Sequence, residues 1–225
     1  MKRFPLALVA ALSLLIVPAA EANHSWGNYH WARSSNPVSL TVVDSVTGTW
    51  DSILPVVSAE WGASSVINTS LQGGTSGLLT RLACRPLAGK IRVCNANYGP
   101  NLWFGIAEVW LDASGHISQA TTKVNDFYFT GTYGNNTARR HVLCQELGHD
   151  FGLDHVNTAS CMNDANNTLN NPSHLSPNAH DYAQLETIYA HLDGGAKVAS
   201  GGRANSGFVQ RIGGQTVITF ISWVI

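Results

Sequence analysis

The segment that most constrains the fold of this chain runs from residue 145 to residue 155 and reads QELGHDFGLDH. On a helix, Gln145 and His149 are one turn apart, so their side chains share a face and can reach one ion. Gly152 permits the left-handed backbone conformation that ends a helix and turns the chain back. This turn would bring His155 toward the same ion from outside the helix. The sequence therefore predicts a helix that ends near Gly152 and three side chains that converge on a metal.

The same segment resembles the metzincin signature HExxHxxGxxH, with Gln145 in place of the first histidine and the other positions matched. The resemblance implies a catalytic zinc ion held by Gln145, His149 and His155, with an open fourth position for water. It also implies that Glu146 is the general base that draws a proton from the zinc-bound water, in an endopeptidase that hydrolyses peptide bonds.

Gln145 is the position at which the chain departs from the signature. A carboxamide oxygen is a weaker partner for zinc than a neutral imidazole nitrogen. His141 is not a substitute, because the eight residues that separate it from His149 span about 12 Å along a helix. Cys144 points well round the helix from His149 and is better used in a disulfide. Gln145 therefore stays in the expected ligand set.

Two further features resemble the matrixins among the metzincins. Met162 follows His155 after a short loop, as the methionine-turn does, and would underlie the metal as an apolar floor, although a methionine there is also common core filler. The segment 175–192 resembles the C-terminal helix of matrixin catalytic domains. The resemblance covers residues 38–192 as an order of elements. It implies an α/β (α+β) fold, a metzincin-like twisted mixed sheet with an active-site helix and a C-terminal helix.

Hydrophobic periodicity and turn residues also predict a mixed α/β order. Ser52 is expected to cap the first helix, with Pro55 in its first turn, and Thr137 to cap the motif helix. The predicted elements are a strand over 38–44, a helix over 52–61, short strands over 65–68 and 91–95, a hairpin with strands 104–111 and 116–126, helices over 137–148 and 178–191, and a C-terminal hairpin with strands 208–211 and 215–225.

The first residues have the pattern of a secretory leader. Two basic residues follow Met1, an apolar run covers 6–17, and an A-x-A pattern stands at 20–22. The run is shorter than the roughly 20 apolar residues that span a bilayer. A cleaved signal peptide is therefore favoured over a membrane anchor, and the mature chain is expected to be secreted. The predicted organisation is a signal peptide over 1–22, a catalytic domain over 23–192, a Gly/Ser-rich link over 193–207 and a C-terminal β-hairpin over 208–225.

Four cysteines in an exported chain suggest disulfides. Three connectivities are open. Cys84 and Cys94 flank a plausible local hairpin, which leaves Cys144 to pair with Cys161. Two unrelated pairs of buried thiols are the alternative. A Cys144–Cys161 bond would tie the motif helix to the segment that carries Met162.

Composition bounds the expected partners. The formal net charge is −1 and charged residues make up 12% of the chain, so a surface for nucleic acid is not expected. The chain is expected to be a monomer without a stable membrane anchor. Its expected partner is a polypeptide substrate, which would pair with an edge strand in the 104–126 hairpin. Zinc is the expected cofactor. Calcium at Asp112, Asp126 and Asp164 is also considered, although scattered loop carboxylates are usually only solvated.

A non-catalytic relative is the second hypothesis. Such a chain would have kept the scaffold as a binding module after zinc binding weakened or was lost. Glu146 favours the enzyme hypothesis, because a site that has lost its activity has no chemical need for that carboxylate.

Overall fold

The protein is described by a computed structural model over residues 24–194 and 207–224. The strands are β1 (Val38–Ser45), β2 (Ile67–Gly73), β3 (Lys90–Ala96), β4 (Trp103–Leu111), β5 (Ile117–Asn125), β6 (Phe208–Ile212) and β7 (Gln215–Trp223). The helices are α1 (Trp50–Trp61), α2 (Leu78–Ala83), α3 (Asn136–Asp150) and α4 (Ala179–Ile188). The mixed α/β class predicted from the sequence is confirmed.

All seven strands form one sheet in the order β2-β1-β3-β5-β4-β7-β6. Strands β2, β1, β3 and β5 are parallel neighbours, whereas β4 pairs antiparallel with β5 and β7. The predicted hairpin of β4 and β5 is present. The sheet is therefore mixed, and its antiparallel half contains the C-terminal hairpin of β6 and β7.

Helix α3, which carries the motif, lies inside the molecule, and every residue from 141 to 150 is buried. On one side Trp61 of α1 donates its indole N–H to the carbonyl of Cys144 at 3.0 Å. On the sheet side Thr122 of β5 donates to Asp150 at 2.7 Å. A helix buried on both sides must satisfy its polar side chains from neighbouring elements, since water does not reach them.

The helix starts differ from the predicted caps. Helix α1 begins at Trp50, so Ser52 is not its N-cap but donates to the Thr49 carbonyl at 3.0 Å, and Pro55 lies beyond the first turn. Asn135, rather than Thr137, caps α3 by accepting from the Ala138 N–H at 2.9 Å. Asparagine is at least as good an N-cap as threonine, so residue type alone does not rank neighbouring candidates.

The stretch from Cys84 to Cys94 is not a hairpin. Cys84 ends α2, a helix that was not predicted from the sequence, and Cys94 lies in β3, which pairs in parallel with β1. The structure contains the disulfides Cys84–Cys94 and Cys144–Cys161. The first joins a short helix to the sheet, and the second joins α3 to the loop that precedes Met162.

The predicted substrate edge of the 104–126 hairpin is wrong, because both sides of the hairpin are paired. Strand β7 runs antiparallel to β4 from Trp103 opposite Trp223 to Leu111 opposite Thr216, and β5 pairs with β3. Phe220 of β7 is fully buried. Burial of its apolar side chains stabilises β7 in this position.

The predicted signal peptide over 1–22 and residues 195–206 of the predicted link lie outside the described residues. Within the described ranges, no helix is both long enough and apolar enough to cross a membrane.

Candidate metal centre

The end of α3 turns as the motif predicts. Gly152 has φ +103°, and a Cβ there would overlap the carbonyl oxygen of Tyr29. The N–H of Leu153 bonds back to the carbonyl of Gly148 at 3.1 Å. Glycine is therefore required at this position for both backbone conformation and space, and the turn brings His155 back toward the helix.

His149 and His155 converge through their Nε2 atoms, which lie 3.0 Å apart. His149 donates its Nδ1–H to the carbonyl of Leu153 at 2.8 Å, so its neutral ring presents a lone pair on Nε2. Two ligand nitrogens bound to one zinc ion at tetrahedral angles lie about 3.3 Å apart. The two rings are thus close to the spacing of ligands to a single ion.

Both rings of this pair are held in the neutral form that binds metals. Burial and the neighbouring His155 keep the pKa of His149 well below its ordinary value. Burial likewise lowers the pKa of His155. On its other side, His149 stacks on the ring of Phe220 from β7, with 4.3 Å between the ring centroids and 8° between the planes.

Gln145 is buried and faces β7. Its Oε1 accepts a hydrogen bond from the Ser222 hydroxyl at 2.6 Å, and its buried Nε2 has no hydrogen-bond partner among the described residues. Gln145 and His155 both line a cavity of about 230 Å³, which β6 and β7 help to close through Phe208 and Ser222. The carboxamide is therefore in the same cavity as a motif histidine, but its oxygen is already engaged.

Glu146 is fully buried beside Gln145 and also contacts the hydroxyl of Ser222. A Cβ on Gly105 of β4 would lie 2.5 Å from Glu146 Oε1, so a glycine in β4 makes room for this carboxyl. Burial raises the pKa of Glu146 to about 8, against the lowering effect of the Ser222 hydrogen bond. In this state the carboxyl is largely protonated at neutral pH.

One arrangement of protons allows the Ser222 hydroxyl to bond to both Gln145 and Glu146. Ser222 has one proton to donate and two lone pairs that accept. If it donates to Gln145 Oε1, its contact with Glu146 needs a proton on the carboxyl, which agrees with the raised pKa of Glu146. Gln145, Ser222 and Glu146 are therefore joined in one hydrogen-bonded group.

Met162 is fully buried under α3. A Cβ on Gly148 would overlap its Sδ, so the thioether packs against the residue that precedes His149. The Cys144–Cys161 disulfide fixes the same loop to the helix. This placement agrees with an apolar support for the motif.

Several candidates lie elsewhere. His141 is fully buried, contacts the carbonyl of Asn163 at 3.1 Å and stacks near His174, away from the converging pair. Asp112, Asp126 and Asp164 do not belong to any group of three or more described side chains close enough to share an ion. The structure therefore lends no support to calcium at these carboxylates.

Ser222 and Phe220 were not among the site residues predicted from the sequence. Their contacts with Gln145, Glu146 and His149 join residues more than 70 positions apart. The only local signal was that the last strand is too apolar to remain in water. Nothing in that signal indicated the surface on which the strand docks.

The two histidines suit a zinc ion, and Gln145 is a weaker candidate donor nearby. The Nε2 atoms of His149 and His155 point together, and Gln145 supplies a buried carboxamide in the same cavity. If all three side chains bound one ion, a fourth position would remain open, as in catalytic zinc sites.

No family model and no curated protein matches the chain. Among solved structures, the chain is similar to the crystal structure of archaemetzincin from Archaeoglobus fulgidus complexed with malonate. The TM-score is 0.39 and the identity 12%, over 65% of this chain and 99% of that one. A likeness at this level carries no argument about activity, so any function must be derived from the side chains of the site.

Proposed function

We propose that this chain is a secreted zinc-dependent endopeptidase of the metzincin type, matrixin-like around the motif. The observation that carries the proposal is the 3.0 Å approach of the His149 and His155 Nε2 atoms at the turn after α3, with Glu146 on the same helix. Secretion is supported by the leader pattern over 1–22 and by two disulfides, which persist in oxidising compartments.

The roles of the residues follow from their atoms. His149 and His155 would hold zinc through Nε2, and Gln145 would hold it through Oε1. Zinc, when bound, supplies Lewis-acid activation of a water and of the scissile carbonyl. Glu146 would take a proton from that water and pass it to the leaving amine. For this role Glu146 must be ionised, so the burial that raises its pKa must first be relieved.

The described state is closed to a peptide. An extended peptide paired with β4 would need the position that β7 occupies, and Phe220 covers one face of His149. Ser222 at the same time engages Gln145 and Glu146. We therefore propose that this state is latent and that displacement of β7 opens the site.

The closed state also favours a second candidate, a non-catalytic binding module. A carboxamide at the first ligand position and a buried, protonated Glu146 describe a site that does not turn over. Glu146 argues for the enzyme, because burial of a carboxyl without full hydrogen bonding is costly and its Oε2 has no hydrogen-bond partner among the described residues.

Hydrolysis of an unfolded protein substrate separates the two candidates. We expect the mature chain to cleave casein slowly with added zinc and not with a chelator. Ser222→Ala should cleave faster, because it frees the Oε1 of Gln145 for zinc, and Glu146→Gln should abolish cleavage while the chain still binds zinc. If neither the wild type nor Ser222→Ala cleaves when loaded with zinc, the binding-module candidate replaces the enzyme.

A further inference from the structure

A second set of histidines converges on one carboxylate outside the motif. The Nε2 atoms of His30, His116 and His191 lie 3.2, 3.2 and 3.0 Å from the carboxylate oxygens of Asp193. Asp193, His30 and His116 are buried, whereas the His191 side chain is 55% exposed. Four potential ligands from three distant segments thus meet at one point, with one of them open to solvent.

The hydrogen bonds of this cluster point to a missing cation, because they place ring lone pairs against a carboxylate. His30 Nδ1 lies 2.8 Å from the carbonyl of Asn28, which can only accept, so the ring N–H of a neutral His30 is on Nδ1. Its Nε2 lone pair then faces a carboxylate oxygen of Asp193, and two acceptors repel each other. His116 Nε2 is buried and makes no hydrogen bond with any described residue, although it lies near Asp193.

Protonation of all three rings would be a costly way to remove the repulsion between acceptors. If each histidine took a second proton, three positive charges would surround one carboxylate, and two of the rings are desolvated. One divalent cation would instead accept all three lone pairs and neutralise the carboxylate. Asp193 is itself held in place, because its Oδ2 accepts the N–H of Arg33 at 2.9 Å.

We propose that His30, His116, His191 and Asp193 form a second metal site, independent of the motif, for a zinc-type divalent cation. Ligand atoms about 2 Å from a tetrahedral zinc ion lie about 3.3 Å apart, close to the three observed contacts between histidine Nε2 atoms and Asp193. The ligand atoms of His30, His191 and Asp193 all lie within 4.8 Å of one another. His116 lies outside that group, although its Nε2 is 3.2 Å from Asp193, and would move toward the other two histidines when the metal binds. Three imidazoles and one carboxylate suit zinc rather than calcium or magnesium.

The surroundings resemble those of a metal-binding histidine. The carbonyl that orients His30 through Nδ1 is the kind of partner that fixes the tautomer of metal ligands. Four protein ligands fill a tetrahedral zinc ion, so this site would be structural rather than catalytic.

The site would join three parts of the chain. The backbone already links them, since Ile117 N–H bonds to the His30 carbonyl and Asp193 N–H bonds to the Arg33 carbonyl, both at 2.8 Å. His116 lies at the turn between β4 and β5, and Asp193 lies just before the segment that leads to β6. A metal here would anchor the point from which the chain leaves for the C-terminal hairpin.

Zinc stoichiometry and affinity of the intact mature chain test this proposal. The probe is zinc alone, titrated against a competing chelator, with bound metal counted by elemental mass spectrometry. In Asp193→Asn, which keeps the side-chain shape and an acceptor for Arg33, we expect one zinc ion to bind at least 10-fold more weakly than in wild type. His191→Gln should show the same loss and, because this side chain is half exposed, should fold normally.

The control is His174→Gln, which removes a buried histidine that lies in neither cluster and should leave zinc binding unchanged. The predicted difference is one zinc ion whether or not the motif binds metal, so failure of the proposed peptidase would not imitate failure of this site. Equal zinc binding by wild type, Asp193→Asn and His191→Gln would overturn the proposal. So would a wild-type chain that is folded and binds no zinc.

Discussion

At the residue scale, the buried side chains of the candidate site have few hydrogen-bond donors, and the partners of those donors decide the chemistry. Ser222 has a single proton for Gln145 and Glu146, and His149 has its ring proton committed to a backbone carbonyl. Each commitment leaves a lone pair elsewhere, and the His149 lone pair points at His155. The arrangement of donors therefore determines which atoms remain free for a metal.

Gly152 gives a stability prediction at this scale. Gly152→Ala should lower the free energy of unfolding by roughly 2–4 kcal/mol, because it combines a strained positive φ with overlap against the Tyr29 carbonyl. Gly48→Ala is the matched control: φ is +69° but nothing lies within 4 Å of a Cβ, so the loss should be only about 1 kcal/mol. Urea unfolding measures both. Equal losses would show that the close approach of Tyr29 is unimportant.

His141 gives a prediction on pH. Burial lowers the pKa of His141 to about 4, from an ordinary value of 6.5. As the pH falls from 6.5 toward 4, the unfolded chain takes up a proton at this ring and the folded chain does not, so this residue makes the folded state lose roughly 2–3 kcal/mol. His141→Gln, which keeps an N–H donor, should lose less stability over the same range.

The pH test compares urea unfolding of the wild type and His141→Gln at pH 7 and pH 4.5. Buried carboxyl groups such as Glu146 titrate in both proteins, so their contribution cancels in the comparison. The same fall in both proteins would mean that His141 is not the group responsible.

At the scale of the elements, the sequence predicted what local pattern determines. The motif helix with its turn at Gly152, the β4–β5 hairpin and the C-terminal hairpin are all present, because each depends on nearby residues. Helix α2 was missed because it is short, and none of its residues is buried, so no apolar stripe marks it. The docking of β7 on β4 was missed because strand partners far apart in sequence leave no local signal.

Strand β7 gives the prediction at this scale. Ser222→Ala should free Gln145 Oε1 and so raise zinc affinity roughly 3 to 10-fold, since a hydrogen bond contributes about 0.5–1.5 kcal/mol. Without zinc the variant should be less stable by about 1–3 kcal/mol, because two buried polar groups lose a partner.

Thr219→Ala is the matched control for Ser222→Ala. It removes a buried hydroxyl from the same strand, and the Thr219 Oγ1 has no hydrogen-bond partner within the described part of the chain. Chelator competition and urea unfolding with and without zinc measure both effects. If Thr219→Ala behaves like Ser222→Ala, the hydroxyl of Ser222 does not control the site.

At the scale of the whole molecule, the C-terminal hairpin completes the sheet and at the same time closes the site. The sheet ends at β2 and β6, and the antiparallel half that faces α3 is filled by the chain itself. The disulfide at Cys144 fixes α3 from one side, and the proposed second metal site would fix the start of the link to the hairpin. In the proposed opening, β7 would move while the disulfide and the proposed metal site stay in place.

The most direct test of a zinc ion at the motif is the affinity of Gln145→His. An imidazole at this position would complete three strong ligands, so zinc should bind at least 10-fold more tightly than in wild type. All chains compared should carry His191→Gln, which weakens the proposed second site so that it contributes less to the measured zinc binding. Gln210→His, at an exposed position of β6, is the matched control and should leave the affinity unchanged. Titration with a competing chelator gives the three values. Tighter binding only in Gln145→His supports the ligand set of Gln145, His149 and His155, whereas the same affinity in all three chains would show that residue 145 is not at the metal.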